Sequence, residues 1–563
     1  MIAIRSVFLA SLLVFASAGP TPRSGMLVRE SKSTVPEGFV VKSAAPAEQT
    51  IPLRIALKQG DIAGLEKALY DVSTPNSPNY GKHLSKEEVE EYVKPSQAAI
   101  DAVHAYLKAN GVEATTMSPA GDWLGFSVPV SKANDMFNAE FSVYQHVASG
   151  KEQIRTLSYS IPSSLSEHLD YVHPTTNFLS GSPGLPLLVS PLPSNVTRPS
   201  PAAAQSCSSV VTPACLQSLY GIPTTKATQS SNQLAVAGFL NQWAQKADLK
   251  SFLTALRPDL SSSTTFALDT LDGGSNPQSA SDAGIEANLD IQYTVGIASG
   301  VPVTFVSAGS SNSDGWDGFL DMVNYLLALP TIPHVLTTSY AFNEPGLSAS
   351  AANTLCNAYM QLGARGTSIF FASGDGGVSG GQSQSCTTFV PTFPSTCPYV
   401  TSVGGTQGTT ETAAALSGGG FSTIFTAPSY QSAVTAAYVK SIGTTYSGKY
   451  TTTGRGFPDI AAQAENVEIY NGGTAELVAG TSCATPISAS IFSLINDQLV
   501  AAGKSPLGFL NPLLYANPSA LNDITSGTNP GCSTNGFSAK AGWDPVTGLG
   551  SPNFAKLKTA AGL

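Results

Sequence analysis

The chain has 563 residues, of which 12% are charged, with Lys+Arg 28 against Asp+Glu 38, a net charge of -10 at pH 7 and a sequence pI near 5.1. This acidic balance offers no electrostatic footprint for nucleic acid, and 42% hydrophobic residues exclude a disordered chain. The length is enough for two or three domains and at least one large core.

Met1 to Ala18 carries a basic Arg5, the apolar run Val7 to Phe15 and the small residues Ala16-Ser17-Ala18. This is the pattern of a secretory signal peptide, so an extracellular protein is expected. The apolar core is too short to cross a bilayer, and no later run reaches the roughly 20 residues a membrane helix needs. Residues 19–180 then mix helix and strand periods. Lys86 to Leu107 reads as two amphipathic helices broken near Pro95, Trp123 to Val130 as a strand, Ser131 to Phe141 as a helix and Phe141 to His146 as a strand. A small α+β domain is expected. Residues 181–205 are rich in Pro, Ser and Gly and include the sequon Asn195-Val196-Thr197. They read as an exposed linker, either cut during maturation or kept as a permanent connection.

From Gln233 onward, short buried strands alternate with helices. Leu234 to Leu240, Val301 to Ala308, His334 to Ala341, Ser368 to Ser373 and Tyr399 to Val403 read as strands. Gln245 to Leu256, Asp282 to Gly296, Gly318 to Ala328, Ser350 to Leu362 and Ile487 to Ala502 read as helices. Such alternation predicts an α/β domain, residues 206–563, with a parallel sheet flanked by helices on both faces. Gly404 to Gly456 reads as irregular or as small strands. This half is also the acidic one: from Ser206 there are 12 Lys+Arg and 20 Asp+Glu, leaving 16 and 18 before it. All seven cysteines lie here, implying three bridges and one free thiol. Cys207 and Cys215 are near enough to close a small loop, Cys356, Cys386, Cys397 and Cys532 supply two more bridges, and Cys483 is the candidate free thiol.

Gly480-Thr481-Ser482-Cys483-Ala484-Thr485-Pro486 stands where an apolar run, Glu476 to Ala479, meets a helical pattern. A serine there sits at the positive end of a helix, near N–H groups that can receive an oxyanion. The alternatives are a plain N-cap serine, or Cys483 as the nucleophile. The seven residues resemble the serine loop of subtilisin-like proteases. A serine nucleophile is ordinarily activated by histidine, yet five of the six histidines, His83, His104, His146, His168 and His173, precede the linker, and His334 has no surrounding motif. Carboxylates offer the replacement. Ser281 or Asp282 caps a helix in which Glu286 and Asp290 lie four apart on one face; either this is an ordinary solvated face, or the pair converges on Ser482 and shares a proton. Asp375 follows the apolar strand Ser368 to Ser373 at a glycine turn. That is the carboxyl edge where parallel sheets bind ligands, and a protonated acid there can donate to an oxyanion.

Together these motifs resemble the sedolisin family, the serine-carboxyl peptidases, across nearly the whole chain: Trp123-Leu124, Pro129-Val130, Glu286 to Asp290, Ser373-Gly374-Asp375-Gly376, Gly456-Phe457-Pro458-Asp459, Gly480-Thr481-Ser482 and Gly542-Trp543-Asp544-Pro545. The resemblance implies a subtilisin-like fold with Ser482 as nucleophile, Glu286 as general base, Asp290 as its supporting acid and Asp375 as the oxyanion acid. Cys483 departs from the alanine the family often carries. The resemblance also implies one structural calcium ion held by Asp523 and Asp544 side chains and the carbonyls of Ile524, Lys540 and Gly542, an oxygen-only set that suits calcium. A secreted, acid-active zymogen is implied, acting on peptides or unfolded proteins, with its own propeptide as inhibitor and folding aid. The pattern is closest to tripeptidyl-peptidases; an endopeptidase, or an inactive binding protein of the same fold, remains open at this point.

Overall fold

The computed structural model describes residues 24–147, 149–179, 188–192, 206–311 and 316–563. The signal segment, the sequon at Asn195 and most of the linker lie outside them.

The N-terminal unit is built on a four-stranded antiparallel sheet in the order Thr115–Thr116, Trp123–Pro129, Thr50–Leu57, Leu169–His173. Alternation along Thr50–Leu57 sorts its two faces. Leu53 and Ile55 pack into the unit's own core with Val103, Leu107 and Phe137 from the helices Gln97–Ala109 and Val130–Phe137. Arg54 and Ala56 point the other way, toward the C-terminal body: Ala56 joins the body's core, and the Arg54 guanidinium grips the Asp321 carboxylate at 2.5 and 2.8 Å. A second helix pair is Ile62–Ser73 and Lys86–Val93, and the latter is separated from Gln97–Ala109 at Lys94-Pro95, the break the sequence implies. The later helix opens on a capping box, with Ser85 Oγ accepting from Glu88 N at 3.1 Å and Glu88 returning the contact at 2.7 Å. The pair presents Leu65, Leu69, Val89 and Val93 to Met360, Ala364 and Phe509 of the body.

The body holds an eight-stranded sheet in the order Ala267–Leu271, Val303–Ala308, Leu234–Gly238, Val335–Thr338, Ser368–Ala372, Thr401–Gln407, Thr412–Ala413, with Ile460–Gln463 also paired to Thr401–Gln407. Every pairing is parallel except that of Thr412–Ala413. Leu234 and Val236 face the helices Lys246–Leu256, Ile285–Ile297 and Thr481–Ala501. Ala235 and Ala237 face Phe319–Ala328 and Ala349–Ala364. Strands covered on both faces read as continuous apolar runs, which is why the sequence shows them well. Ala267–Leu271 does not: it is a half-exposed edge strand with a polar pattern. The Gly404 to Gly456 stretch contains a helix, Ser432–Ile442, that its Ala, Thr and Ser content conceals.

Three disulfides close Cys207–Cys215, Cys356–Cys397 and Cys386–Cys532, and Cys483 is free and buried. The described part of the linker, residues 188–192, is exposed from Val189 to Pro191 as expected but is not a loop. Leu188–Pro191 is a strand, paired antiparallel with Thr474–Ala479 in the register Leu188 to Ala479 and Pro191 to Glu476.

Candidate active site

Ser482 stands in the first turn of the helix Thr481–Ala501, six residues earlier than the sequence pattern suggests. Pro486 is therefore inside the helix rather than at its start. Its missing N–H leaves the Ser482 carbonyl without a helical partner, and the Ser339 hydroxyl approaches that carbonyl at 3.4 Å. The turn into the helix needs a glycine because of a close approach: a Cβ on Gly480 would lie 2.9 Å from Asp375 Oδ2. Ser482 is 1% exposed and its hydroxyl donates to the Ser339 carbonyl at 3.3 Å.

Asp375 leaves the carboxyl edge of Ser368–Ala372 through Gly374, whose φ of +110° lies in the left-handed region. One Asp375 oxygen accepts from the Thr481 amide at 2.6 Å and from the Thr481 hydroxyl at 2.9 Å. Burial pushes its pKa up to about 6 against the pull of those two bonds.

The carboxylate helix begins at Ile285, after a 3-10 turn over Ala280–Asp282, so neither Ser281 nor Asp282 caps it; the cap position is Gly284. Glu286 N donates to Gln242 Oε1 at 3.1 Å, a side-chain substitute for the missing cap. The helix is buried on nearly all sides, so Glu286 and Asp290 face no solvent. Asp290 accepts from the Ser339 hydroxyl at 2.7 Å, and its other oxygen has no partner, like both oxygens of Glu286. Burial, then the charges of Asp290 and Asp375, drive the Glu286 carboxyl well above its ordinary pKa. Burial does the same to Asp290, with the Ser339 hydroxyl opposing. The Ser482 and Ser339 hydroxyls lie near enough to favour the Glu286 anion slightly, although neither makes a hydrogen bond of ordinary geometry to it.

All four residues singled out in the sequence thus meet in one buried cluster. Cys483, beside them, has its thiol pushed well up by burial and by the three acids, the opposite of what a thiolate nucleophile needs. His334 lies elsewhere, lining a cavity against the N-terminal unit. Sequence reading missed Ser339, Thr481 and Gln242. Ser339 follows the strand Val335–Thr338 and Gln242 follows Leu234–Gly238, both at the sheet edge that already pointed to Asp375, and that edge was the available signal.

Asp523 and Asp544 are brought to one loop. Asp544 accepts from Lys540 N at 2.9 Å and Thr547 N at 2.8 Å, and Asp523 accepts from Gly542 N at 2.9 Å. Burial lifts the Asp544 pKa to about 7 against the pull of its hydrogen bonds from Lys540, Val546 and Thr547. No cluster of three or more His, Cys, Asp or Glu that could hold a metal occurs among the described residues. An oxygen set of two carboxylates and loop carbonyls still fits a hard cation. No helix of the described residues is long and apolar enough to cross a membrane.

With this geometry in place, comparison with known proteins gives the class. Residues 37–178 match the Pro-kumamolisin activation domain. The whole chain is 37% identical to a probable tripeptidyl-peptidase SED2 of Trichophyton verrucosum and 36% identical to the tripeptidyl-peptidase SED2 of Arthroderma otae, covering 98% of each protein and 98% of this chain. Among solved structures, a Pseudomonas sedolisin, a serine-carboxyl proteinase, superposes with a TM-score of 0.50 over 62% of this chain and 98% of its own, at 23% identity. The chain belongs to the sedolisin family of serine-carboxyl peptidases, and is a serine-type peptidase carrying its own activation domain.

Proposed function

We propose that this chain is a secreted zymogen of an acid-active tripeptidyl-peptidase, with residues 1–18 as signal peptide, 19–180 as prodomain, 181–205 as processing linker and 206–563 as the catalytic domain. One observation carries the reading: a buried serine clusters with three carboxyl groups, Glu286, Asp290 and Asp375, whose pKa values are all raised. Ser482 Oγ attacks the peptide carbonyl while Glu286 takes its proton, and Glu286 later gives that proton to the departing amine. Asp290, held by Ser339, shares the proton load of Glu286, because two like charges in one buried site do not both persist. Asp375, protonated and fixed by Thr481, donates to the oxyanion. Water then hydrolyses the acyl-enzyme with the groups in the same roles: Glu286 takes a proton from the attacking water and returns it to the departing Ser482 oxygen, and Asp375 again donates to the oxyanion. The relatives' names favour removal of tripeptides. Digestion of one long peptide with a free and with a blocked N-terminus checks this: successive tripeptides are expected from the free form only, and internal cuts in the blocked form would make the enzyme an endopeptidase.

The linker strand supports self-maturation. Leu188 is paired beside Ala479, three residues before Ser482, and the strand runs away from the nucleophile in its N-to-C direction. That is the polarity of the leaving half of a substrate. The maturation cut is therefore expected N-terminal to Leu188, and N-terminal sequencing of the mature protein checks it. A mature chain starting after Pro191 would contradict the expectation.

We also assign a structural calcium ion to Asp523, Asp544 and the carbonyls of Ile524, Lys540 and Gly542. Calcium binding to the native state alone would stabilise it by mass action, by about 3 kcal/mol at a hundredfold excess over Kd, and so raise the melting temperature. A chelator is expected to lower the melting temperature of the parent and to leave that of Asp523→Asn unchanged; a parent indifferent to chelator would remove the site.

A further inference from the structure

The loop between the first two prodomain helices carries His83 into the body. Its imidazole lies in a slot floored by glycines: a Cβ on Gly508 would fall 2.3 Å from His83 Cε1, and one on Gly366 would fall 2.7 Å from Cδ2. Nε2 donates to the Pro506 carbonyl at 2.8 Å, while Nδ1 is buried and has no hydrogen-bond partner. The neighbouring Leu84 amide donates to Ala364 O at 2.9 Å, so the whole loop is pinned to the body. Across the same cavity stands His334, from the start of a body strand, with its own Nδ1 buried and unpartnered. A neutral imidazole of the Nε2–H tautomer fits this slot. A protonated one brings a second N–H to a place with nothing to receive it.

The remaining charges do not compensate. Lys86 and Glu87 from the second prodomain helix and Arg365 from the turn after the Ala349–Ala364 helix line the same cavity. Glu90 offsets Lys86 at 3.8 Å, and Arg365 spends its guanidinium on the carbonyls of Leu327, Leu329 and Pro330 while sensing Glu87 and Glu90. Lys82 adjoins His83 in the loop but turns its Nζ to Asn79 at 3.2 Å, and Lys504 donates to the Gly562 carbonyl. The cavity itself is thus lined by two permanent cations, Lys86 and Arg365, and one carboxylate, Glu87.

We propose that His83 and His334 form an acid-released latch between prodomain and body: both imidazoles are neutral in the docked precursor, and when both gain protons the interface holds two cations face to face and opens. The latch regulates the peptidase proposed above and rests on that reading. The electrostatics agree in direction. Burial lowers the pKa of His83, and burial followed by the proximity of His83 lowers that of His334 to about 4. A base with a depressed docked pKa favours docking above its free value near 6.5 and loses that contribution as pH falls through the docked value, at up to tenfold per unit for each site. Release thus begins where the free histidines titrate, and the His334 contribution is lost by about pH 4.

The test uses the full-length precursor carrying Ser482→Ala, so that docking is read without any cleavage. Amide exchange of residues 62–93 is measured at pH 7 and pH 4 against the unstructured rate at each pH. Protection is expected to fall at least tenfold at pH 4, and to fall less than threefold when His83→Gln and His334→Gln are added. Should His83→Gln weaken docking already at pH 7, His334→Gln alone, which leaves the prodomain intact, is expected to recover at least threefold of the protection lost at pH 4. Equal loss in parent and His334→Gln would overturn the latch. Because no cleavage is read, that failure is distinct from failure of the peptidase reading, which the activity of the unmodified enzyme decides.

Discussion

Replacing Ser482 with alanine leaves a precursor that neither digests peptides nor matures. The expected loss in kcat is about 10⁶-fold, the scale seen when a protease loses the nucleophile of a cooperating set. Both losses should appear together, since the strand Leu188–Pro191 sits against the segment that leads into Ser482. Folding should be nearly unaffected: the hydroxyl's one hydrogen bond is a 3.3 Å contact to the Ser339 carbonyl, worth about 1 kcal/mol or less. The measurement is the band pattern of purified precursor in acid over time, with the parent as control. If the alanine precursor matured without added protease, Ser482 would not be the residue that cuts the linker.

Asp375→Asn should change the pH profile as well as the rate. In the parent, Asp375 is protonated below about pH 6 and ionised above it. The ionised form cannot donate, and its charge opposes the oxyanion, so kcat is expected to fall tenfold per pH unit beyond that point. Asparagine keeps a donor but does not titrate. The variant should therefore be slower at its best pH, roughly tenfold to a hundredfold given what single oxyanion donors contribute, with an alkaline limb displaced upward. Stability has a matching sign. A carboxyl whose folded pKa rises from 3.8 to about 6 favours the folded state in acid and loses that advantage as pH rises through 6. The cost above pH 6 is roughly 3 kcal/mol. Denaturation of Asp375→Asn should accordingly be less sensitive to rising pH than that of the parent. An unchanged alkaline limb would show that another group turns the enzyme off.

Much of this was legible in the sequence because the chemistry lies at element boundaries that residue types mark. Asp375 is announced by an apolar strand running into glycines, and Ser482 by a glycine between a strand and a helix. The missing histidine pointed to carboxylates before any geometry was known. What sequence did not reveal is burial. Glu286 and Asp290 at i and i+4 read equally as a solvated face or as a converging pair, and only the structure shows that almost every side of their helix, polar or apolar, is covered. Pro486 misled for a related reason. Proline within a helix is costly, but here the carbonyl it orphans has Ser339 nearby, and tertiary structure overrides the local rule. Ser339 itself, a lone serine after a buried strand, carried no local signal, yet it contacts both Asp290 and Ser482.

The helix that begins at Thr481 is enclosed along nearly its whole length, from Ser482 to Leu499. Two of its interior hydroxyls are turned onto the preceding helical turn, Thr485 to the Thr481 carbonyl at 2.8 Å and Ser490 to the Pro486 carbonyl at 2.7 Å, while those of Ser488 and Ser493 are buried without a hydrogen-bond partner. It packs against the carboxylate helix and against the strands Val335–Thr338, Ser368–Ala372, Thr401–Gln407 and Ile460–Gln463. A segment so placed cannot fray by itself, because opening it means dismantling the sheet it rests on. The enzyme's working lifetime is then governed by a single high barrier rather than by gradual erosion of its centre: molecules remain fully competent until they unfold as a whole.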